Sequence, residues 1–569
     1  MTPSSSEFLN AALARLDAAR GTWATRSAKQ KREDLRALLA RTHEASADWV
    51  TAAIAAKGVP RGSAGEGEEW ISGPWALEAS IAALVRTLER LEAGQPVLSS
   101  GQAHTRPDGQ VVVDVFPSTV FDRLLLNGFT TEVWMQPEVS LQNLPEHVAV
   151  AFRNPNPAGG LALVLGAGNI ASIPPLDVLY ELIAENRVAI CKLNPVNEYL
   201  GPIFERVFAP LIEAGFVAFV YGGAEVGSQL VNDARVTKVH ITGSAQSHDA
   251  IVFGRGEEGA QRKARKEPLL KKPITSELGG VGPTIVVPGP WSDDDLRFQA
   301  AHVATQKMHN GGFNCIAAQV LVLHQEWPLK DRFLELLKET VSALPSRPAY
   351  YPGAADRQTA AAQHHPQAEK LGTDGPRFRL PAIDAASPAY AFQNEFFSAA
   401  WAETSISAPD AASFLGAAVT FANEKLMGTL GAQLLIHPET ARALGPRLEQ
   451  AIADLRYGTI GVNAWCGVGF LIPTAAWGAF PGHPLEDIQS GRGVVHNALL
   501  LEKTQKTVVR APFSPFPRAL FNGELHMSPM PPWFVTNKHA ATLGRLLADF
   551  EANPSFLKLP AIFAQALTA

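Results

Sequence analysis

From residue 146 onward the chain alternates short apolar runs with helical stretches, and this alternation restricts the available folds more than any other feature. Apolar runs stand at VAVAF (148–152), GLALVLG (160–166), VAICKL (188–193), VAFVYG (217–222) and VTKVHIT (236–242). Stretches such as LDVLYELIAEN (176–186) and GPIFERVFAPLIEAG (201–215) separate them. A strand covered on both faces reads as an unbroken apolar run, and parallel neighbours need a helix-length crossover. The pattern therefore predicts a parallel sheet with crossover helices. A basic, polar stretch (254–273) interrupts it. Strands then recur at TIVVP (284–288), QVLVLH (319–324), QLLIH (433–437) and TIGVN (459–463), which predicts a second α/β lobe. Residues 6–95 carry helical spacing, with Leu9, Leu13, Leu16 and Trp23 on one face. Residues 96–130 are rich in turn residues and include the β-like run VVVDVF (111–116). The C-terminal segment is proline-rich, then helical from about His539.

Composition narrows the function classes. Of 569 residues, 46% are hydrophobic and 18% charged, enough to bury large cores in more than one lobe. Acids outnumber Lys and Arg by 55 to 49, so no positive field is left to hold a nucleic acid. Three cysteines exclude a disulfide scaffold and a CxxC metal site, and no metal is expected. The first residues show no basic start followed by an apolar run. The uncharged stretch from Asn154 to Leu176 contains Pro155, Pro157, Pro174 and Pro175, which would break a lipid-facing helix. The expectation is a cytoplasmic chain with no membrane span.

Four motifs could carry chemistry. GAGNIA (166–171) follows a strand and fits the phosphate loop G-x-G-x-x-G/A, but the next strand ends CysLysLeuAsn with no acid. HITGS (240–244) ends a strand at a helix start, where free N–H groups hold anions. SELGG (276–280) places an acid before two glycines at the start of the second lobe. NGGFNC (310–315) sets Cys315 on a glycine-rich turn, better placed to expose a thiolate than Cys191 in its apolar strand. Cys466, in NAWCGVG, fits either a loop thiol or a core one. Each motif alone also fits an ordinary turn, hinge or buried cysteine.

Together and in this order, GAGNI, KLNP, ITGS, SELGG, GGFNC, NEFF (394–397) and SGRG (490–493) resemble the aldehyde dehydrogenase superfamily over about residues 10–510. The resemblance implies a Rossmann-like cofactor domain (1–127 and 158–277) and a catalytic domain (278–500). It also implies an oligomerisation arm with a C-terminal extension (128–157 and 501–569), serving a dimer or tetramer. It implies NAD- or NADP-dependent oxidation of an aldehyde to an acid. Cys315 would be the nucleophile, Asn169 an oxyanion donor and Glu277 the base that activates water. Lys192, Gly243, Ser244, Leu278, Glu395 and Phe397 would contact the cofactor. Two alternatives are a CoA-acylating aldehyde dehydrogenase and a low-activity binding protein on the same fold.

Several residues depart from the family pattern. Pro195 stands where NAD-preferring members carry an acid, which makes NADP use plausible, and His248 stands where a second glycine is expected. The basic run Arg262, Lys263, Arg265 and Lys266 is an insertion that reads as a solvated loop, or as a contact to phosphates of NADP or CoA. The extension 511–569 is apolar for a surface tail, so subunit packing is its first reading and a cover over the substrate tunnel its second. Phe313, Trp401, Trp465, Phe470 and Trp477 fall in segments bordering the family's substrate channel, which points to an apolar aliphatic or aromatic aldehyde.

Overall fold

The computed structural model describes residues 2–155, 157–372 and 377–568. Asn156, inside the expected arm, and Ala569, inside the expected extension, lie outside the described residues.

Two sheets form two lobes. The smaller has the strand order Gly491–Arg492, Ile274–Leu278, Lys238–Gly243, Leu161–Leu165, Val188–Lys192, Val217–Val220. Neighbours run parallel except at Gly491–Arg492. From the central strand Leu161–Leu165 the chain moves outward through Val188–Lys192 and Val217–Val220, then returns to the other side at Lys238–Gly243. Crossovers diverge at that point, and a crevice opens beyond the carboxyl ends of the two strands. Leu165 pairs with Ile241, so the loop from Gly166 to Asn169 lies beside Gly243 and Ser244.

The larger sheet has eleven strands. Its parallel body is ordered Thr504–Arg510, Thr459–Val462, Gly431–Leu435, Gly282–Val286, Ala318–His324, Ala400–Ile406, Arg377–Asp384. Antiparallel strands close both edges: Thr130–Met135, Val111–Phe116 and Ala103–Thr105 on one, Glu369–Leu371 on the other. Leu278 ends a strand of the small sheet, and Gly282 begins one of the large sheet. The carboxyl edge of one sheet therefore faces the amino edge of the other across Gly279–Val281.

The two sheets place two of the segments singled out in the sequence. Residues 103–116, placed with the cofactor domain, are strands of the larger sheet. Thr130–Met135 and Thr504–Arg510, expected as an arm, pair with each other and extend the chain's own sheet at Thr459–Val462. The apolar run 111–116, buried at every residue but Asp114, could not reveal which sheet it completes.

Helices Ser6–Ala24 and Ala28–Lys57 begin at Ser5 and Ser27, whose side chains accept from first-turn N–H groups, as N-caps do. The first helix is pinned to the small lobe by the Trp23 indole, which donates to the Leu182 carbonyl at 2.9 Å. The C-terminal extension folds back on its own chain, burying Phe513, Trp533 and Phe534. That corrects the subunit-interface reading for these residues. Helix Ala540–Ala552 crosses Ala64–Trp70 at two glycines. A Cβ on Gly67 would stand 2.4 Å from the Ala540 carbonyl carbon, and one on Gly544 would stand 2.6 Å from the Trp70 Cβ. Gly544→Val should therefore push the tail helix off its seat and cost about 1–3 kcal/mol, read as a lower urea midpoint. An unchanged midpoint would contradict the close crossing.

Candidate active site

Helix Asp293–Met308 is followed by a turn in which Asn310, Gly311 and Gly312 have φ of 54°, 67° and 83°. At Gly312 glycine is needed for space as well, since a Cβ would lie 2.4 Å from the Ser398 carbonyl oxygen. The turn buries Phe313 against Tyr350 and Tyr351 and presents Cys315 just ahead of strand Ala318–His324. Cys315 is partly exposed, whereas Cys191 and Cys466 are buried. Cys466 accepts a hydrogen bond from Gln433 Nε2 at 2.9 Å, which settles it as a core residue.

Cys315 Sγ lies 3.6 Å from Glu277 Oε1. The same oxygen accepts from Trp477 Nε1 at 2.8 Å, while Oε2 is buried with no hydrogen-bond partner. Asn169 Nδ2 donates to the Phe313 carbonyl at 2.9 Å. Cys315, Glu277 and Asn169 border one cavity of ≈ 470 Å³, with Ile170, Phe470 and Leu471 among its apolar walls. Trp465 and Trp477 also line it. Phe313 lies behind the nucleophile turn, and Trp401 sits in the large-lobe core with its indole on Glu403, so neither borders this cavity. The Cys315 backbone N–H is not taken by any described residue.

Burial raises the Glu277 carboxyl to about 7, with the Asp177 carboxylate adding to the effect. The Cys315 thiol is pushed up by burial and by Glu277. Both groups therefore bind a proton more tightly than in water, and they compete for it across this contact. Ser490 and Gly491 hold Glu277 in place. The Ser490 carbonyl accepts from the Leu278 N–H at 2.8 Å, and Gly491 pairs with Glu277 across the edge strand.

Of the expected cofactor residues, Lys192, Gly243 and Leu278 end strands of the small sheet. Gly243 and Ser244 are exposed at the start of helix Ala245–Val252, with Ser244 as its N-cap. Leu278 is buried opposite Gly243. His248 turns inward and is buried, its Nδ1 on Asp249 at 3.2 Å, so it leaves the helix start clear. Lys192 Nζ donates to the Gly222 carbonyl at 2.9 Å, and burial lowers its pKa. The Glu198 carboxylate attracts that amine and accepts from the Gly222 N–H at 2.9 Å, so an acid stands near Lys192 despite Pro195. Glu395 is held against Gly279, where a Cβ would meet its Oε1 at 2.1 Å. That oxygen is buried without a partner, and burial raises the carboxyl to about 8. Phe397 has φ 40°, kept by Arg357, which donates to the Phe396 and Phe397 carbonyls at 3.0 and 3.2 Å. The basic run is neutralised at the surface: Arg262 pairs with Glu258, Lys263 with Asp249, Arg265 with Glu267 and Lys266 with Glu486.

A family model described as "Aldehyde dehydrogenase family" matches residues 142–372, the segment that holds Asn169, Lys192, Glu277 and Cys315. Over this segment the chain is similar to the aldehyde dehydrogenase family. It is 33% identical over 138 residues to an aldehyde dehydrogenase of Paenarthrobacter nicotinovorans, covering 24% of this chain and 26% of that protein. It is 26% identical over 200 residues to mouse aldehyde dehydrogenase family 3 member A2, covering 35% and 37%. The matched part thus spans less than half the length of these curated relatives. The fold agrees over more of the chain. Lactaldehyde dehydrogenase from Escherichia coli superposes with a TM-score of 0.57 at 15% identity, covering 89% of this chain and 91% of that one. An indole-3-acetaldehyde dehydrogenase solved with NAD+ superposes with a TM-score of 0.58 at 16% identity, covering 90% of each.

Residues that carry no motif also hold the Cys315 turn. Lys57 Nζ donates to Glu69 at 2.7 Å and to the Asn169 carbonyl at 3.1 Å, 112 residues away. Asn310 Nδ2 donates to the carbonyls of Asn169 and Phe313, both at 3.1 Å, while its backbone N–H donates to Glu68 at 2.9 Å. Arg347 pairs with Glu68, and the Tyr350 hydroxyl lies 3.1 Å from the Asn169 carbonyl. The only sequence signal was an acidic cluster, GEGEEW (65–70), in an otherwise apolar helical region. Both members of the Lys57–Glu69 pair have side chains only 1% exposed. Lys57→Met leaves Glu69 buried and unpaired, so it should cost about 3–5 kcal/mol in denaturant unfolding. A cost near that of an exposed pair would contradict this buried placement. Glu277→Gln should act oppositely. A carboxyl raised by burial favours the folded state below its folded pKa, and that contribution is lost as pH rises through about 7. The variant should therefore gain melting temperature over wild type between about pH 6 and about pH 8, a gain that thermal scans at both ends would show.

Proposed function

We propose that this protein oxidises an apolar aldehyde to the carboxylic acid with NAD or NADP, through a covalent intermediate on Cys315. The observation that carries the reading is the 3.6 Å contact between Cys315 Sγ and Glu277 in a cavity that also holds Asn169.

The residues present fit a nicotinamide dinucleotide. The Glu395 oxygen lacks a partner at the crevice, and glycine at 279 makes room for it. Glu395 would hold the ribose hydroxyls on the nicotinamide side, with Leu278 and Phe397 nearby. The free N–H groups after Gly243 and Ser244 would take the pyrophosphate. Lys192 would reach the adenine-side ribose. When bound, the cofactor supplies the hydride acceptor. Support for this class comes from structures of similar fold solved with NAD+: the indole-3-acetaldehyde dehydrogenase, and a mutant aldehyde dehydrogenase C from Pseudomonas syringae holding NAD+ and octanal.

The chain's own groups then act in sequence. The Glu277 carboxylate takes the thiol proton as sulfur adds to the carbonyl carbon. Negative charge develops on the former carbonyl oxygen, where the free Cys315 N–H and the second hydrogen of the Asn169 amide can donate. After oxidation the acyl group is held on sulfur as a thioester. Glu277 releases its first proton to solvent and accepts a second from the water that attacks the thioester. The carbon–sulfur bond breaks, the acid leaves, and the proton on Glu277 returns to the departing sulfur. A carboxyl near 7 can both accept and release protons around neutrality. A base touching the nucleophile favours hydrolysis over acyl transfer to CoA.

Wild type should form NAD(P)H from an apolar aldehyde without CoA, and Cys315→Ala should form none. kcat/KM should rise through an apparent pKa near 7, because Glu277 must be ionised to accept the thiol proton. In Glu277→Gln steady-state turnover should fall by roughly a hundredfold or more, with a single-turnover burst at most. Normal cycling of that variant, or strict dependence on CoA, contradicts the assignment.

A further inference from the structure

A second cleft adjoins the catalytic cavity. Ile71 and Leu471 stand in the linings of both. The second cleft is larger, ≈ 1090 Å³, and mostly apolar. Trp75, Phe116 and Leu126 form its floor, while Trp533, Leu543, Leu547 and Ile562 of the C-terminal extension form its roof. The roof is seated, since its helix crosses Ala64–Trp70 at the two glycines where no Cβ fits. Polar groups gather at the rim, where Arg86 and Ser118 are exposed and Asp122 and Glu551 are half-buried. Two carboxyls against one guanidinium do not favour an anionic substrate there. The catalytic cavity itself presents Asn169, Glu277 and Cys315 at one end and aliphatic or aromatic walls elsewhere.

We infer that the cleft under the C-terminal extension is the outer chamber of the substrate site. It selects aldehydes with a long apolar body, whose carbonyl reaches Cys315 while the body lies between Leu471 and the tail helices. The inference rests on the oxidation proposed above and adds the substrate class. The physical ground is continuity: an apolar chain leaving the catalytic cavity past Ile71 and Leu471 stays out of water only by entering this cleft. A short aldehyde gains nothing from the chamber.

The test compares kcat/KM for propanal and dodecanal in wild type, Leu547→Trp and Ala566→Phe, two substitutions that fill the chamber from the roof. Wild type should prefer dodecanal. In both variants dodecanal should lose about tenfold or more, the range that excluded methylenes give in an apolar pocket. Propanal should stay within about twofold, which also shows that the variants are folded. Parallel losses for both aldehydes, or no loss for dodecanal, would overturn the chamber and leave the role of Cys315 standing. Should wild type oxidise neither aldehyde, calorimetric titration with the uncharged dodecanamide decides separately. Binding that both variants weaken keeps the chamber as an apolar-chain site and removes the oxidation reading. No binding to wild type removes the chamber as well.

Discussion

The thiol of Cys315 and the carboxyl of Glu277 meet across the gap between two sheets, and the rest of the site is arranged around that contact. Neither group would hold this position alone. Glu277 sits at the end of a small-sheet strand whose edge is completed by Gly491, and its oxygen is fixed by the Trp477 indole. Cys315 is presented by a turn with three consecutive positive φ angles, a conformation affordable only with glycine and asparagine. Burial raises both proton affinities, so one charge and one proton are shared across the pair near neutral pH.

Such a contact needs a rigid surround. Buried ionisable groups are costly unless paired, and here the pairing also sets geometry. Lys57, Glu69, Glu68 and Arg347 form ion pairs beneath the Asn169 loop and the nucleophile turn, and Asn310 joins the two carbonyls. The N-terminal helices supply Lys57, Glu68 and Glu69. The region after Phe313 supplies Arg347 and Tyr350. The site is thus braced from both lobes and from the helices that precede them.

Periodicity is local, and it carried the fold class well. Unbroken apolar runs became strands buried on both faces, as at Leu161–Leu165 and Ala318–His324. Motifs with glycine at fixed positions were also legible, because a positive φ or a close approach leaves glycine no substitute, as at Gly279 and Gly312. Long-range charge pairing was not. Lys57 and Glu69 read like solvated residues of amphipathic helices, and nothing local distinguishes a buried ion pair from an exposed one. Aromatic residues were equally opaque. Trp477 and Phe470 border the catalytic cavity while Phe313 and Trp401 fill core, although all four come from similar surroundings in the sequence.

Sequence alone was enough for two α/β lobes and for the order of their chemical motifs, since hydrophobic period and backbone-conformation requirements act over a few residues. Tertiary structure alone decided where the edge strands 103–135 and 504–510 pair, and that the C-terminal extension turns back to roof a cleft beside the catalytic cavity. It also decided that Cys315 meets a buried carboxyl. Each of these depends on which distant surface a segment meets and on how much water that meeting removes, quantities that no short stretch of chain encodes.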